Sequence, residues 1–174
     1  RHLFKGEFPC APPVTLGHEF SGPILACGPG VDLPQGLRVA CDPNIPCGTC
    51  PHCRRGRVNL CAANVAIGIH RNGGFAPFAC LPAHRAHALP ATLNPLHGAF
   101  CEPLACTLHG LDIGAPLPGE RVIVFGGGVI GLLAVQLARL AGAEVMLLTR
   151  QGAKRRLAEE VGATTSAATA EEAL

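Results

Sequence analysis

Four cysteines of this chain lie within fifteen residues, at the spacing C-x2-C-x2-C-x7-C. They are Cys47, Cys50, Cys53 and Cys61. Four thiolates this close together can form the closed tetrahedral shell that binds a structural zinc ion. The alternative is a pair of disulfides, which a small secreted protein would favour. We interpret the cluster as a structural zinc site, which fixes a local fold and leaves the chemistry to other residues.

A second pattern with chemical meaning is G-x-G-x-x-G, at residues 126–131. It follows an apolar run at 121–125 and precedes a helical pattern, which is the context of a dinucleotide-binding loop. In such a loop the glycines permit a tight turn, and the helix N-terminus faces the phosphates. A flexible turn without a ligand is the alternative. We predict a dinucleotide site whose loop residues are Gly126, Gly128, Val129, Ile130 and Gly131.

The end of the next apolar run bears on the choice between NAD and NADP. An acidic residue about 20 positions after the glycines would bind the ribose 2′-hydroxyl of NAD. The chain instead has Thr149 followed by Arg150, and Lys154 comes shortly after them. A threonine does not repel a 2′-phosphate, and the two cations can pair with one. A surface arginine after a strand is also common, but the sequence favours NADP over NAD.

One histidine and two glutamates are candidates for a further metal site. His18 and Glu19 are adjacent, and Glu102 lies in the apolar segment FCEPL. A buried carboxylate is costly unless it is paired or binds a metal. A lone histidine is more often structural, however, and spacing alone does not bring these three residues together.

The elements that would position these residues differ between the two halves of the chain. Up to about residue 100, prolines and glycines separate short apolar runs that have no long helical periodicity. This pattern predicts short strands joined by turns. The predicted strand segments are 14–27, 37–43, 73–82 and 84–90.

From about residue 101 the pattern predicts alternating helices and strands. The predicted elements are a helix at 103–114, a buried strand at 121–125, a helix ending at Gly142, a buried strand at 144–149, a helix at 152–162, and a short strand with the start of another helix in 164–174. The predicted inward residues of the two longer helices are Ile130, Leu133, Ala134, Leu137 and Leu140, then Ala153, Leu157 and Val161. This order indicates a parallel sheet covered on both faces. The fold class is therefore α/β with a β-rich N-terminal part.

Composition argues against several other classes of protein. A net charge of +2 and an aromatic content of 4% speak against nucleic-acid binding. We interpret the basic run 54–57 as a solvated surface. The sequence predicts no membrane span and no signal peptide. Six further cysteines have no paired spacing, and those in apolar runs, such as Cys80 and Cys106, indicate buried reduced thiols and a cytoplasmic location.

The order of five segments resembles one protein family. GHEFSG, the four-cysteine loop, GGFAPFACLPA, EPLACTLHG and GGGVIG follow the order and spacing of the zinc-containing medium-chain alcohol dehydrogenases, near the sorbitol and threonine dehydrogenase branch. The resemblance runs through essentially the whole chain. It implies a GroES-like β-domain over residues 1–103, followed by the first half of a Rossmann fold over residues 104–174.

The resemblance also implies a chemistry and a set of residue roles. His18, Glu19 and Glu102 match positions around the family's catalytic zinc, and Glu19 is a ligand in some members and a neighbour of the ligands in others. The four cysteines match the structural zinc ligands. Zinc acts in this family as a Lewis acid on the oxygen of an alcohol or polyol, and a hydride passes between the substrate and NAD(P). The resemblance further implies a homo-oligomer for the full-length protein.

Two departures from the family concern the ends of the chain. The family's first catalytic-zinc ligand, a cysteine, would fall just ahead of Arg1, and the family continues beyond Leu174. We therefore expect a fragment of a zinc-dependent alcohol or polyol dehydrogenase that is inactive or nearly so alone, with exposed strand edges that favour aggregation. The alternative is a non-catalytic zinc- and nucleotide-binding relic that never encoded the missing cysteine.

Overall fold

The computed structural model describes residues 5–7, 10 and 12–173 of the chain. The chain divides into two compact units, Arg1–Glu102 and Pro103–Leu174. Within the described residues, no helix is both long enough and apolar enough to cross a membrane.

The first unit is built from short antiparallel strands. These are β1 (Ser21–Pro23), β2 (Arg38–Cys41), β3 (Asn44–Ile45), β4 (Val65–Ala66) and β5 (Ala86–Ala88). The larger sheet has the order β1-β2-β5, with Ser21 opposite Ala40 and Val39 opposite Ala88, and β3 pairs with β4 in a separate sheet. Strand β2 lies in the centre of its sheet and buries three apolar side chains, Val39, Ala40 and Cys41.

Two short helices complete the first unit. They are α1 (Pro51–Arg54) and α2 (Pro95–Gly98), and each begins with a proline. Proline suits this position because the first N–H of a helix has no partner within the helix. The Asn94 side chain accepts a hydrogen bond from the Leu96 N–H and so caps α2. Two 3₁₀ turns, Val58–Leu60 and Ala83–Arg85, stand before Cys61 and β5.

The predicted strands of the first unit are longer than the observed ones. Of segment 14–27 only β1 is a regular strand, and the segment 73–82 contains no strand at all. Pro77 and Pro82 within it have no N–H to donate to a ladder, and Gly73 and Gly74 favour irregular backbone. The prediction for 73–82 was therefore wrong, although residues 73–75 of this segment donate hydrogen bonds to the carbonyl groups of residues 15–17.

The second unit is a three-stranded parallel sheet with helices. Its elements are α3 (Cys101–Gly114, which begins in the first unit), β6 (Arg121–Phe125), α4 (Val129–Leu140), β7 (Glu144–Leu148), α5 (Gly152–Glu160), β8 (Thr165–Ala167) and a 3₁₀ turn (Glu171–Ala173). The order β6-β7-β8 places β7 in the centre, with Ile123 opposite Met146 and Met146 opposite Thr165. These elements confirm the predicted order and lie close to the predicted positions.

The core of the second unit lies between the sheet and its helices. The completely buried side chains are those of Val135, Ala138, Ala143, Val145, Leu147 and Ala158. Both Val135 and Ala138 belong to α4, and Ala158 belongs to α5. Small residues on the inward face let a helix approach the sheet closely, which explains why alanine occupies so much of this core.

Several burial predictions for the second unit were wrong, including those for Ile130 and Ala153, which are exposed. Helix α4 presents Val135 and Ala138 to the core, whereas the side chain of Leu140 is 84% exposed. Helix α5 buries Ala158, one position after the predicted Leu157, because that position faces β7 and β8. Strand β6 is an edge strand whose Phe125 is 76% exposed, since no described element of this unit covers that face.

The cysteines outside the four-cysteine cluster also differ from the prediction. Cys41 is buried, and burial raises the pKa of its thiol to about 12. Cys80 and Cys106, which were predicted to be buried, are exposed. Cys80 lies in the irregular segment 73–82 and Cys106 in the helix Cys101–Gly114. An apolar run in the sequence does not bury every side chain in such a segment or on a helix that is largely exposed.

Candidate metal and nucleotide sites

The four clustered cysteines converge on one point in the first unit. Their Sγ atoms all lie within 4.8 Å of one another. Cys47 and Cys50 precede α1, Cys53 lies within it, and Cys61 follows the 3₁₀ turn that brings the chain back. A tetrahedral shell with zinc–sulfur distances of about 2.3 Å requires such a separation. The donor set therefore fits a closed structural zinc site.

Backbone N–H groups of the loop point at the sulfur atoms. The Cys47 N–H donates to Cys61 Sγ (3.3 Å), the Cys50 N–H to Cys47 Sγ (3.4 Å), and the Cys53 N–H to Cys50 Sγ (3.5 Å). Hydrogen bonds from the backbone of Thr49 and Cys50 lower the pKa of Cys47 to about 6. Such bonds stabilise the negative charge of a thiolate, which is the form that binds metal.

The pKa of the Cys53 thiol is shifted in the opposite direction from that of Cys47. Desolvation raises the pKa of the Cys53 thiol to about 12, and hydrogen bonds with the thiols of Cys50 and Cys61 add to the rise. Four thiols this close cannot all lose their protons unless a cation balances the charge. The loop is thus built for a divalent metal with a preference for sulfur, which again fits zinc.

The second group of potential ligands consists of His18, Glu19 and Glu102. One ligand atom from each residue lies within 4.8 Å of the others. His18 and Glu102 are half-buried, and Glu19 is exposed. One imidazole nitrogen and two carboxylates form a mixed nitrogen and oxygen set, and three protein ligands leave a fourth position open for water or substrate. This donor set fits a catalytic zinc ion, in contrast to the closed shell of the cysteines.

Close packing of α2 on β1 helps to bring Glu102 to His18. At Gly98, the last residue of α2, a side chain would have its Cβ 2.6 Å from Ser21 Oγ and 2.5 Å from Leu89 Cδ1. Only glycine therefore fits between α2 and β1. Helix α3 begins three residues later and carries Glu102 in its first turn, while His18 lies just ahead of β1.

Two arginines make side-chain contacts on either side of β5. Arg38 in β2 donates hydrogen bonds to the carbonyl groups of Ala91 and Leu93, the latter at 2.9 Å. Arg85 forms an ion pair with Asp42, with 2.6 Å between Nη1 and Oδ2. The Arg38 contacts tie the segment that leads towards α3 and Glu102 to β2. The ion pair instead joins the residue just ahead of β5 to the residue just after β2.

The glycine loop of the second unit connects β6 with α4. Gly126 has a φ of +96°, and its N–H donates to the Leu148 carbonyl at 2.9 Å. A Cβ at Gly131 would come 1.9 Å from the Gly126 carbonyl oxygen, so the helix packs against the turn through a bare backbone. At Gly128, where α4 begins, a Cβ would meet no atom within 4 Å. Open space beside the N-terminus of a helix is what a phosphate-binding loop requires.

The other predicted nucleotide residues lie around this loop. Val129 and Ile130 form the exposed first turn of α4. Lys154 packs next to the loop, since a Cβ at Gly127 would lie 2.9 Å from Lys154 Cβ. Thr149 follows β7, and its N–H donates to the Ala167 carbonyl at 3.0 Å.

A further arginine at this edge was missed by the sequence reasoning. Arg155 Nη1 donates to the carbonyl of Thr149 at 2.9 Å and so holds the end of β7, where the exposed Arg150 follows. The cluster RR at 155–156 was visible in the sequence, but which arginine turns back to the strand depends on the pitch of α5. No carboxylate stands at the Thr149 position.

Comparisons with known proteins bear on both units. The family model of the alcohol dehydrogenase GroES-like domain matches residues 1–91, and that of the alanine dehydrogenase/PNT C-terminal domain matches residues 104–174. Galactitol 1-phosphate 5-dehydrogenase of Escherichia coli (strain K12) is 43% identical over 153 residues, which are 87% of this chain and 44% of that protein. Sorbitol dehydrogenase of Halalkalibacterium halodurans is 39% identical over 165 residues, 92% and 48% of the two chains.

One solved structure is more similar in sequence. It is a protein described as a zinc-binding dehydrogenase from Sinorhizobium meliloti 1021, bound to NADP. It is 60% identical in sequence and superposes with a TM-score of 0.93. The match covers 95% of this chain and 49% of that protein chain. The chain thus spans about half the length of the relatives that it matches. These matches confirm the predicted fold class, a GroES-like unit followed by a Rossmann-type nucleotide-binding half.

Proposed function

Because the chain belongs to the zinc-containing medium-chain alcohol dehydrogenase family, we propose that it is the zinc- and phosphate-binding half of an oxidoreductase. The substrate is an alcohol or polyol, or the matching ketone or aldehyde, and the partner in hydride transfer is NAD(P). The observation that carries this proposal is the convergence of one imidazole and two carboxylates, His18, Glu19 and Glu102, within 4.8 Å. A closed shell of four cysteines could serve structure alone, whereas this open set suits chemistry.

The residue roles follow from the chemistry of the side chains. His18 and Glu102 bind the catalytic zinc ion through a nitrogen and an oxygen, and Glu19 is the third ligand or adjusts the charge beside them. The bound zinc supplies a Lewis acid for the substrate oxygen. Two carboxylates lower the net charge of a divalent ion, and the half-buried His18 and Glu102 keep it at one position. Cys47, Cys50, Cys53 and Cys61 hold a second zinc ion that stabilises their own loop.

The second unit binds the pyrophosphate and adenosine part of the cofactor. Gly126, Gly128 and Gly131 form the turn, and the first N–H groups of α4, at Val129 and Ile130, face the phosphates. When bound, NAD(P) would supply the hydride chemistry. The glycine loop and the first turn of α4 hold the phosphates at one position and so orient the cofactor.

We propose NADP as the preferred cofactor. Thr149 stands where an NAD enzyme carries an acid, and Arg150 and Lys154 supply positive charge beside it. Arg155 holds the Thr149 carbonyl and thereby the turn from which Arg150 projects. The NADP bound by the 60% identical neighbour supports the same choice.

The remaining parts of the proposal concern the protein to which this chain belongs. We assign residues 1–103 to a GroES-like catalytic domain and residues 104–174 to a Rossmann domain, and we expect a homo-oligomer. Neither nucleic acid nor membrane is a partner in this proposal. The ten cysteines form no disulfide among the described residues, and four thiols gathered for a metal suit a reducing compartment such as the cytoplasm.

The test is a comparison of binding and turnover. The 174-residue chain should bind zinc and NADP but reduce NADP with polyols at no measurable rate, while the same chain within a protein of its relatives' full length should turn over. Turnover that disappears on chelation in the longer protein supports the proposal. Zinc and NADP binding without turnover in the longer protein would favour a non-catalytic relic instead.

A further inference from the structure

The carbonyl group of Gly17 is enclosed by a segment that lies far from it in sequence. It accepts a hydrogen bond from the Gly74 N–H at 2.8 Å. A Cβ at Gly68 would lie 2.3 Å from this carbonyl oxygen, and a Cβ at Gly73 only 2.0 Å from it. Two glycines are therefore required by contact with a single oxygen atom, since no real Cβ approaches an oxygen so closely.

Three further hydrogen bonds extend this contact. The Gly73 N–H donates to the Thr15 carbonyl and the Phe75 N–H to the Leu16 carbonyl, both at 2.8 Å. The Asn72 side chain accepts from the Thr15 N–H, also at 2.8 Å. We call residues 68–75 the glycine clamp, since they bind all three carbonyl groups of residues 15–17 and the N–H of Thr15.

The glycine clamp is itself anchored in the first unit. Ile67, which immediately precedes it, is 1% exposed, and its N–H donates to the Pro43 carbonyl at 2.9 Å. The Gly68 N–H donates to the Arg71 carbonyl at 2.7 Å and closes the loop between them. The glycine clamp therefore connects residues 15–17 to the core of the first unit.

The enclosed carbonyl belongs to the peptide bond that joins Gly17 to His18. Because a peptide unit is planar, holding its oxygen restricts the position of its nitrogen, which is the backbone nitrogen of His18. Gly17 has a φ of +97°, and a Cβ there would lie 2.5 Å from the Phe75 ring, so only glycine fits at this position. The clamp therefore restricts the backbone of His18, from which the imidazole extends.

We propose that Gly68, Asn72 and Gly73 are positioning residues for the metal site formed by His18, Glu19 and Glu102. None of the three offers a ligand to that group. They act through the Gly17–His18 peptide, and a change in them moves the imidazole relative to Glu102. This inference rests on the proposed function, because it concerns the affinity of the proposed catalytic metal site.

The test uses cobalt(II) titration of the metal-free 174-residue chain. Cobalt bound by four thiolates gives a strong charge-transfer absorption, whereas cobalt bound by nitrogen and oxygen gives only weak bands, so the two sites are followed separately. Gly73→Ala should weaken the nitrogen and oxygen site by about 10–100-fold, the usual loss when a neighbour of a metal ligand is changed. The thiolate site should keep its affinity, since its ligands lie in another loop.

Matched variants separate positioning from general loss of stability. Gly22→Ala is the control, because a Cβ there meets no atom within 4 Å and Gly22 lies close to His18 in sequence. Asn72→Ala removes one hydrogen bond without a collision and should weaken the same site by less than Gly73→Ala. Asn72→Asp keeps the acceptor oxygen and should restore the affinity.

The outcomes distinguish this inference from the function on which it rests. Two cobalt sites in the wild type, with only the second weakened in Gly73→Ala, support it. An unchanged second site in Gly73→Ala, or an equal loss at both sites, overturns the positioning role while the proposed function stands. A single thiolate site in the wild-type chain overturns both.

Discussion

The two groups of potential metal ligands in this chain are assembled in opposite ways. The cysteine shell takes its ligands from a single loop, and its sulfur atoms receive hydrogen bonds from N–H groups of the same loop. The group of His18, Glu19 and Glu102 depends on contacts between distant parts of the first unit, through Gly98 on Ser21 and through the glycine clamp. The first should tolerate changes elsewhere in the unit, and the second should not.

This difference explains why one site is closed and the other open. A loop that wraps its own ion can supply all four ligands, so zinc becomes part of the fold. Ligands from separate elements can instead be spaced by the fold, which leaves room for a substrate. The same spacing makes the open site dependent on residues that never touch the metal.

The largest effect is expected from removing one ligand of the cysteine shell. Cys50→Ser replaces one of the four sulfur atoms by a hydroxyl, which can still accept the Cys53 N–H at the start of α1 but is a poor ligand for zinc. The chain should lose one zinc ion and the order of residues 47–61, and the thermal unfolding temperature of the first unit should fall. NADP binding by the second unit should stay. Cys80→Ser, a change at an exposed thiol outside the loop, is the control, and zinc retained by Cys50→Ser would refute the assignment of the loop.

Removing a ligand from the group of His18, Glu19 and Glu102 should lower the affinity for metal and leave the fold intact. Glu102→Gln keeps the size of the side chain and removes its charge, so the affinity of the second zinc should drop by at least about 100-fold, the upper end of the range for residues that merely neighbour ligands. The cysteine shell should stay occupied. Glu160→Gln, at an exposed position of α5, should change neither site. Competition with a chelator measures both affinities, and equal values for wild type and Glu102→Gln would remove Glu102 from the site.

The glycine loop is a second local site and sharpens the comparison within the other unit. Gly128→Ala adds a Cβ that meets no protein atom, so stability should hold, but NADP affinity should fall because the methyl group enters the space for the phosphates. Gly131→Ala adds a Cβ 1.9 Å from the Gly126 oxygen and should lower stability as well. Calorimetric binding together with thermal unfolding distinguishes the two. Full NADP affinity in Gly128→Ala would mean that the phosphates bind elsewhere.

The smallest effect is expected at the cofactor's 2′-phosphate. Arg150→Ala should weaken NADP binding by about tenfold, the loss of one hydrogen bond to a charged group, and leave NAD binding unchanged. Arg156→Ala on the exposed side of α5 serves as the control. The measured quantity is the ratio of the two affinities. A ratio that does not move in Arg150→Ala would count against the NADP preference.

The sequence predicted the local features of the structure well. The spacing of the cysteines, the strands at 121–125 and 144–148, and the glycine loop between strand and helix each depend on neighbours within a few residues. Periodicity and turn chemistry are sufficient for such features. The grouping of His18 with Glu102 came only from the resemblance to a family, because spacing carries no information on it.

The features that the sequence did not predict depend on tertiary contacts. The buried face of α4 is set by how Val135 and Ala138 fit the sheet, and the most hydrophobic stripe of the helix does not coincide with it. Segment 73–82 resembled a strand, yet its glycines serve close approach to Gly17. The local sequence pattern does not show that a glycine is required by contact with a carbonyl oxygen far away in the sequence.

The most direct test of two metal sites in this chain is its zinc content after dialysis, measured by atomic emission beside the double variant H18A/E102A. We expect two zinc ions per wild-type chain and one in the double variant, with the remaining ion bound by the four cysteines. One zinc ion per chain in both proteins would contradict the open site formed by His18, Glu19 and Glu102, and the proposed oxidoreductase function would lose its main support.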